Sequence, residues 1–337
     1  MQPITATSTP RERDETYFLL FGLQNGQRTW RGVWLLIGYY LFSLLFAAVM
    51  SAPTYWFVEW VDSFWSTEAS QYLLGKNIDV YFERLRMGPL LLGLPWIMWM
   101  CRLLSFKALG FDFSWKHVKT ACLWWVIGFV LIGLMAAGQV GSGTCVPREQ
   151  LPSLGTQIFS SAFAALLIGF LEELIFRGLV LRLFYSAFGA FWAVVLSAAF
   201  YAYTHFRIPG GIVDVTPGDD AFFTGFQVGF WILFGIVKGF NWNEFLILFG
   251  LGCALGQLFL KVRTLLPCVG LHAGIVFVMM MHRSFYRIPE ESIFWGGTGF
   301  KTGLAPLLLV IILNICIFIW AQRGRKTIGE IPAQIKS

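Results

Sequence analysis

The sequence predicts an all-α protein, a multi-pass transmembrane helix bundle of about eight spans. Three observations carry that prediction. The chain is 57% hydrophobic with a mean hydropathy of +0.66. Only 13% of its residues are charged, against about a quarter in soluble domains. Apolar runs near the roughly 20 residues that cross a bilayer core recur throughout the chain, and in lipid such runs satisfy their backbone as helices.

Segments 33–51, 88–106, 119–138, 157–185, 187–206, 222–239, 244–261, 265–282 and 303–321 meet or approach spanning length. The first 32 residues hold Arg11, Glu12, Arg13, Asp14 and Glu15 and show no short apolar core with a small-residue cleavage site. The first span is therefore expected to insert as an uncleaved anchor. Arg11, Arg13, Arg28 and Arg31 at the front and Arg323, Arg325 and Lys326 at the back place both tails on the cytoplasmic side. That requires an even number of spans, so one of these segments is expected to be re-entrant or interfacial.

Between the early spans, Trp56, Trp60 and Phe64 recur at helical spacing beside Glu59 and Asp62. This pattern reads as an amphipathic helix, either lying at the bilayer interface or packed on the bundle. Pro209 to Asp220 reads as a solvated loop, its three aspartates lacking calcium-loop spacing. Cys101, Cys122, Cys253, Cys268 and Cys316 lie in apolar runs and only Cys145 in a loop, so no disulfide framework is expected. The net charge of +6 is spread over tails and loops. It fits the retained-side loops of a membrane protein and gives no reason to expect nucleic acid.

Chemistry is concentrated in the middle. Residues 1–150 form a polar tail, three membrane helices and the interfacial loop; 151–290 hold the intramembrane acids and histidines; 291–337 form the last span and a basic tail. In Phe170-Leu-Glu-Glu-Leu-Ile-Phe-Arg-Gly178, each ionisable group at mid-membrane costs about 2.5 to 3.5 kcal/mol. Glu173 and Arg177 are four apart with the acid first, the favourable order for a helical ion pair. Glu172, about 100° round the helix, is left without a partner on its own helix, which suits it to proton transfer. The alternative is a helix ending near Phe176 with its charges reaching the headgroups. Against that, Gly178 to Tyr185 stays helix-compatible and the first clear breaker is Gly189.

A helix from about 157 to 186 that turns at Ser186 to Gly189 and returns would bring Glu172 and His205 level, each roughly 24 Å from the hairpin tip at about 1.5 Å per residue. His205 follows the small and aromatic Ser197-Ala-Ala-Phe-Tyr-Ala-Tyr-Thr204, so a structural hydrogen bond between helices is an equal reading for it. His272 begins an apolar helix after Pro267, and Ala273 and Gly274 leave room beside it for a backbone or a ligand.

These residues carry a specific resemblance. Glu172-Glu173-Leu-Ile-Phe-Arg177 resembles the EExxxR motif of the CPBP (ABI) intramembrane proteases, the family of type II CAAX prenyl endopeptidases and bacteriocin-processing or self-immunity proteins. Tyr201-Ala-Tyr-Thr-His205 resembles its FxxxH motif and His272-Ala-Gly-Ile-Val276 its HxxxN motif, in the family's order. The resemblance implies an intramembrane endopeptidase, with residues 151–290 as its core. Glu172 would be the base that activates water, His205 would assist at that water, and His272 would stabilise the oxyanion. Glu173 and Arg177 would position the site. It also implies a membrane protein or peptide substrate, prenylated or not, in or beside the bilayer, and the plasma membrane as location if the host is bacterial. No cofactor is required; the alternative is a glutamic/metallo-type site in which Glu172, His205 and His272 hold a divalent metal such as zinc.

Two positions depart from the family pattern. Tyr201 stands where the second motif usually has Phe, keeping the ring and adding a hydroxyl. Val276 stands where the third usually has Asn; an oxyanion donor lost there would cost about 3 kcal/mol of transition-state stabilisation. Gln257 and Thr204 are nearby polar candidates to replace it. The alternative function is therefore a catalytically silent scaffold or immunity protein that binds a membrane partner through the same cavity. Proton or solute transport ranks below both, because no internal repeat is visible.

Overall fold

The structure is a computed structural model that describes residues 30–100, 106–205, 217, 221–234 and 240–323. Both charged tails short of Trp30 and beyond Arg323, Cys101, and almost all of the 209–220 loop lie outside the described residues, as does the end of segment 222–239.

The helices, in chain order, are α1 Arg31–Phe64, α2 Glu68–Leu74, α3 Ile78–Leu92, α4 Leu94–Met100, α5 Phe106–Leu109, α6 Trp115–Gly141, α7 Leu154–Glu173, α8 Leu181–Phe188, α9 Ala190–Thr204, α10 Ala221–Phe234, α11 Trp242–Val262, α12 Leu266–Phe285 and α13 Leu304–Gln322. A π-helix, Leu174–Val180, joins α7 to α8 without a break. Among the described residues, α1, α6, the continuous 154–188 rod, α11, α12 and α13 are long and apolar enough to cross a membrane. Two shorter apolar helices, 190–204 and 222–234, accompany them. The fold is all-α and the protein is an integral, multi-pass membrane protein.

The chain forms two compact units, one of residues 1–108 with 203–242, the other of 109–202 with 243–337. In the first, α1 packs on α3 and α10. A Cβ on Gly225 would stand 2.4 Å from the carbonyl oxygen of Ala48, so the α1 and α10 backbones nearly touch there. Trp56, Trp60 and Phe64 do not form a separate interfacial helix. They are the exposed end of α1, which continues as helix through Pro53, as proline allows when neighbours re-satisfy the freed backbone.

Segment 88–106, expected as one span, is interrupted at Gly93 between α3 and α4. Pro89 and Pro95 each remove a backbone donor there. The Tyr39 hydroxyl bonds the carbonyls of Pro89 at 2.8 Å and Leu90 at 2.7 Å. The Leu90 carbonyl is thus satisfied by a side chain, and that of Pro89 also accepts from Gly93 N at 2.8 Å.

In the second unit α12 is the central helix, flanked by α6 and α7. A Cβ on Gly270 would lie 2.1 Å from the carbonyl oxygen of Ala121, and one on Gly274 would lie 2.2 Å from that of Trp125. Small residues four apart let membrane helices approach this closely. On the other side Gly169 of α7 meets the Ala273 backbone. Helix α11 packs on α9 through Gly252, whose Cβ would stand 2.9 Å from Ala198. Strands Val146–Pro147 and Tyr286–Arg287 pair antiparallel across the ends of the helices, and Gln139 Nε2 donates to the carbonyl of Trp295 at 3.0 Å to hold the loop before α13.

Candidate active site

The rod 154–188 brings the acids to the bundle interior. Its α-helical part ends at Glu173, and the π-helix that follows carries Arg177. Widened turns of this kind recur at functional sites. Here the turn leaves Arg177 Nη1 within 2.8 Å of Glu173 Oε1, while Nη2 reaches the Gly252 carbonyl of α11 at 3.0 Å. Both side chains are buried. An ion pair in such a place stabilises only when its remaining hydrogen-bonding groups are also matched. The Gly252 carbonyl supplies one such match. No sequence pattern announced it, because it comes from a backbone 75 residues away.

From α12, buried His272 places Nδ1 at 2.8 Å from the same Glu173 oxygen, Oε1. Its Nε2 faces Glu172 Oε2 at 3.7 Å, too long for a direct hydrogen bond. The imidazole thus stands between adjacent carboxylates, anchored to one and facing the other. A carboxylate on one ring nitrogen fixes the ring's orientation and leaves the opposite nitrogen for chemistry. The two acids differ sharply in access: the Glu173 side chain is 0% exposed and that of Glu172 27%.

Tyr201 of α9 closes the cluster. Its ring lies 5.1 Å from the Arg177 guanidinium carbon and edge-on to Phe176 with centroids 5.0 Å apart, and its hydroxyl is hydrogen-bonded with Glu172. The hydroxyl that departs from the second motif therefore acts on the first.

Glu172, Glu173, Arg177, Tyr201 and His272 come together within the second unit. His205 follows α9 directly and is grouped with the first unit. Val276, one turn after His272, is partly buried and brings no polar group. Gln257 donates to Asn314 Oδ1 at 2.8 Å and is committed to the last helix. Of the two glycines that bracket His272, sequence reasoning singled out Gly274 as leaving room for a backbone and missed Gly270. Their signal was present as Gly270-Leu-His-Ala-Gly274, a small-residue pair that draws α6 against the histidine-bearing helix.

The buried carboxylate, arginine and histidine cluster thus lies beside a partly exposed glutamate in a multi-pass helical membrane protein. Residues 154–278 match the family model described as Rce1-like, type II CAAX prenyl endopeptidase Rce1-like. This match supports the resemblance carried by the three motifs and, at family level, a CAAX-protease-like intramembrane peptidase. No curated protein and no solved structure matches the chain.

Proposed function

We propose that the protein is an intramembrane endopeptidase that cleaves a peptide bond with a water activated by Glu172. One observation carries this reading: of two neighbouring acids, Glu173 is sealed against Arg177 and His272, whereas the Glu172 side chain is partly exposed and turns a buried Oε2 to the His272 Nε2 edge. Glu172 takes a proton from water as the water oxygen attacks the peptide carbonyl carbon. The carbonyl electron pair moves onto oxygen. Collapse of that tetrahedral species breaks the C–N bond, and the proton held by Glu172 passes to the leaving amine.

His272 is the oxyanion partner in this scheme. To donate from Nε2 while Nδ1 donates to Glu173, the ring must be imidazolium, and the carboxylates at its two edges are the counter-charges for that form. His205 assists at the water. Glu173, Arg177 and the Tyr201 hydroxyl position these groups. The substrate is a membrane-associated peptide, and a prenylated C-terminal peptide is the first to try.

Among the described residues no three His, Cys, Asp or Glu side chains gather as ligands of one ion. The scheme routes no step through a metal, and cleavage is expected to survive 1,10-phenanthroline.

Membranes from cells expressing the parent, Glu172→Gln or His205→Ala protein, incubated with a prenylated peptide and a membrane-proteome extract, test the reading. The expected result is cleavage by the parent and none by either variant at equal expression. Unchanged cleavage by Glu172→Gln sinks it. A second reading, a silent scaffold that binds a membrane partner, is favoured by Val276, which supplies no donor where the third motif has an amide. It predicts that the parent cleaves nothing while Glu172→Gln still binds the partner.

A further inference from the structure

A cavity of about 770 Å³ lies between α9, α11 and α13 in the second unit, and none of the residues of the proposed mechanism lines it. Such a volume falls in the range of small-molecule sites, about 300 to 1,000 Å³. Val194 and Val195 on α9 and Ile315 and Phe318 on α13 form apolar walls. Cys253 and Lys261 mark its two ends along α11, about 12 Å apart at about 1.5 Å per residue.

Its polarity is one-sided. Lys261 and Arg263 stand where α11 ends, and among the described residues no aspartate or glutamate lines the cavity. Lys261 Nζ donates to the carbonyls of Ala321 at 3.0 Å and Arg323 at 2.9 Å. These bonds hold the ammonium at the mouth of the groove. At the inner end Gln257 and Asn314 bond each other at 2.8 Å, leaving Gln257 Oε1 buried without a partner among the described residues.

We infer that this groove binds an anionic phospholipid of the bilayer, with an acyl chain between α9 and α13 and the phosphate at Lys261 and Arg263. An apolar slot of helical length with cations only at its membrane-edge mouth complements such an amphiphile, and basic pockets between membrane helices attract anionic headgroups. A zwitterionic lipid would bring its own cation to that mouth. A prenyl chain would bring no anion. The site is independent of the peptidase reading.

Native mass spectrometry of the purified full-length protein, titrated with phosphatidylglycerol or phosphatidylcholine of the same chain length, tests the inference. The parent is expected to retain phosphatidylglycerol at least fivefold more than phosphatidylcholine. Arg263→Gln should remove that preference, and Val195→Trp should reduce retention of both lipids by filling the slot, with melting temperatures unchanged. Should Val195→Trp fail to purify, Ile315→Trp fills the groove from the exposed face of α13. Equal retention of the two lipids by the parent, or undiminished phosphatidylglycerol retention in Arg263→Gln and in the tryptophan variant, overturns the inference. So does displacement of bound phosphatidylglycerol by geranylgeranyl-cysteine methyl ester, which would assign the groove to a substrate's lipid.

Discussion

Glu173 Oε1 is shared: Arg177 Nη1 and His272 Nδ1 each lie 2.8 Å from that one oxygen. One buried carboxylate therefore holds together the rod that carries both acids and the helix that carries the histidine. This makes Glu173 and Arg177 structural in a way that Glu172 is not. Arg177→Met should leave Glu173 buried without its counter-charge and lower stability by about 3 to 5 kcal/mol. Glu172→Gln should unfold with the parent. Thermal unfolding in detergent, read beside cleavage, separates the two; equal melting temperatures for all three proteins would refute the division of roles.

Tyr201 gives a subtler expectation. Its ring packs on Arg177 and Phe176, and its hydroxyl bonds Glu172. Tyr201→Phe keeps the packing and removes one hydrogen bond, worth about 0.5 to 1.5 kcal/mol. Cleavage should fall roughly two- to tenfold with the melting temperature almost unchanged, and the pH profile of kcat should shift because the altered group touches the proposed base. An unmoved pH profile would leave Tyr201 a packing residue only.

The sequence made some of this legible and not the rest, for physical reasons. A fixed spacing on one helix is local, so the Glu173 and Arg177 pair and the rod ending at Gly189 could be read directly. Gly189 has φ of 82°, a conformation that glycine adopts at little cost. The π-helix was not legible, because Leu174 to Val180 reads as an ordinary apolar helical run. Nor was the Gly252 carbonyl, since a backbone partner leaves no residue type to recognise. The break at Gly93 was missed for a related reason: hydropathy over 88–106 does not register two prolines.

The glycine seam offers a prediction about stability that leaves every polar residue in place. A Cβ at Gly274 would sit 2.2 Å from the Trp125 carbonyl oxygen, backbone that cannot swing aside. Gly274→Ala should therefore force α6 and α12 apart at a cost of about 1 to 3 kcal/mol. Gly133 of α6, whose added Cβ would meet nothing within 4 Å, is the control. Gly133→Ala should be neutral or slightly stabilising, since alanine is the better helix former. Melting temperatures that fall equally in both variants would rule out the close contact as the cause.

Val276 decides between the peptidase and its silent alternative. It lies one turn beyond His272 on the same helix, so an amide there would project on the same side as the imidazole. An added oxyanion donor is worth about 2.7 to 4 kcal/mol where its geometry is right, which is on the order of a hundredfold or more in kcal-to-rate terms. Val276→Asn should raise kcat against a prenylated or leader-type peptide with little change in KM, because the donor acts on charge that develops only in the transition state. The paired variant Val276→Asn with Glu172→Gln should cleave nothing, since the gain depends on the same base. Val276→Ala, which adds no donor, should not reproduce the gain. Steady-state cleavage rates for the four proteins at equal reconstituted amount distinguish the outcomes. A gain shared by Val276→Ala would point to space at position 276, and a gain that persists without Glu172 would remove Glu172 from the mechanism.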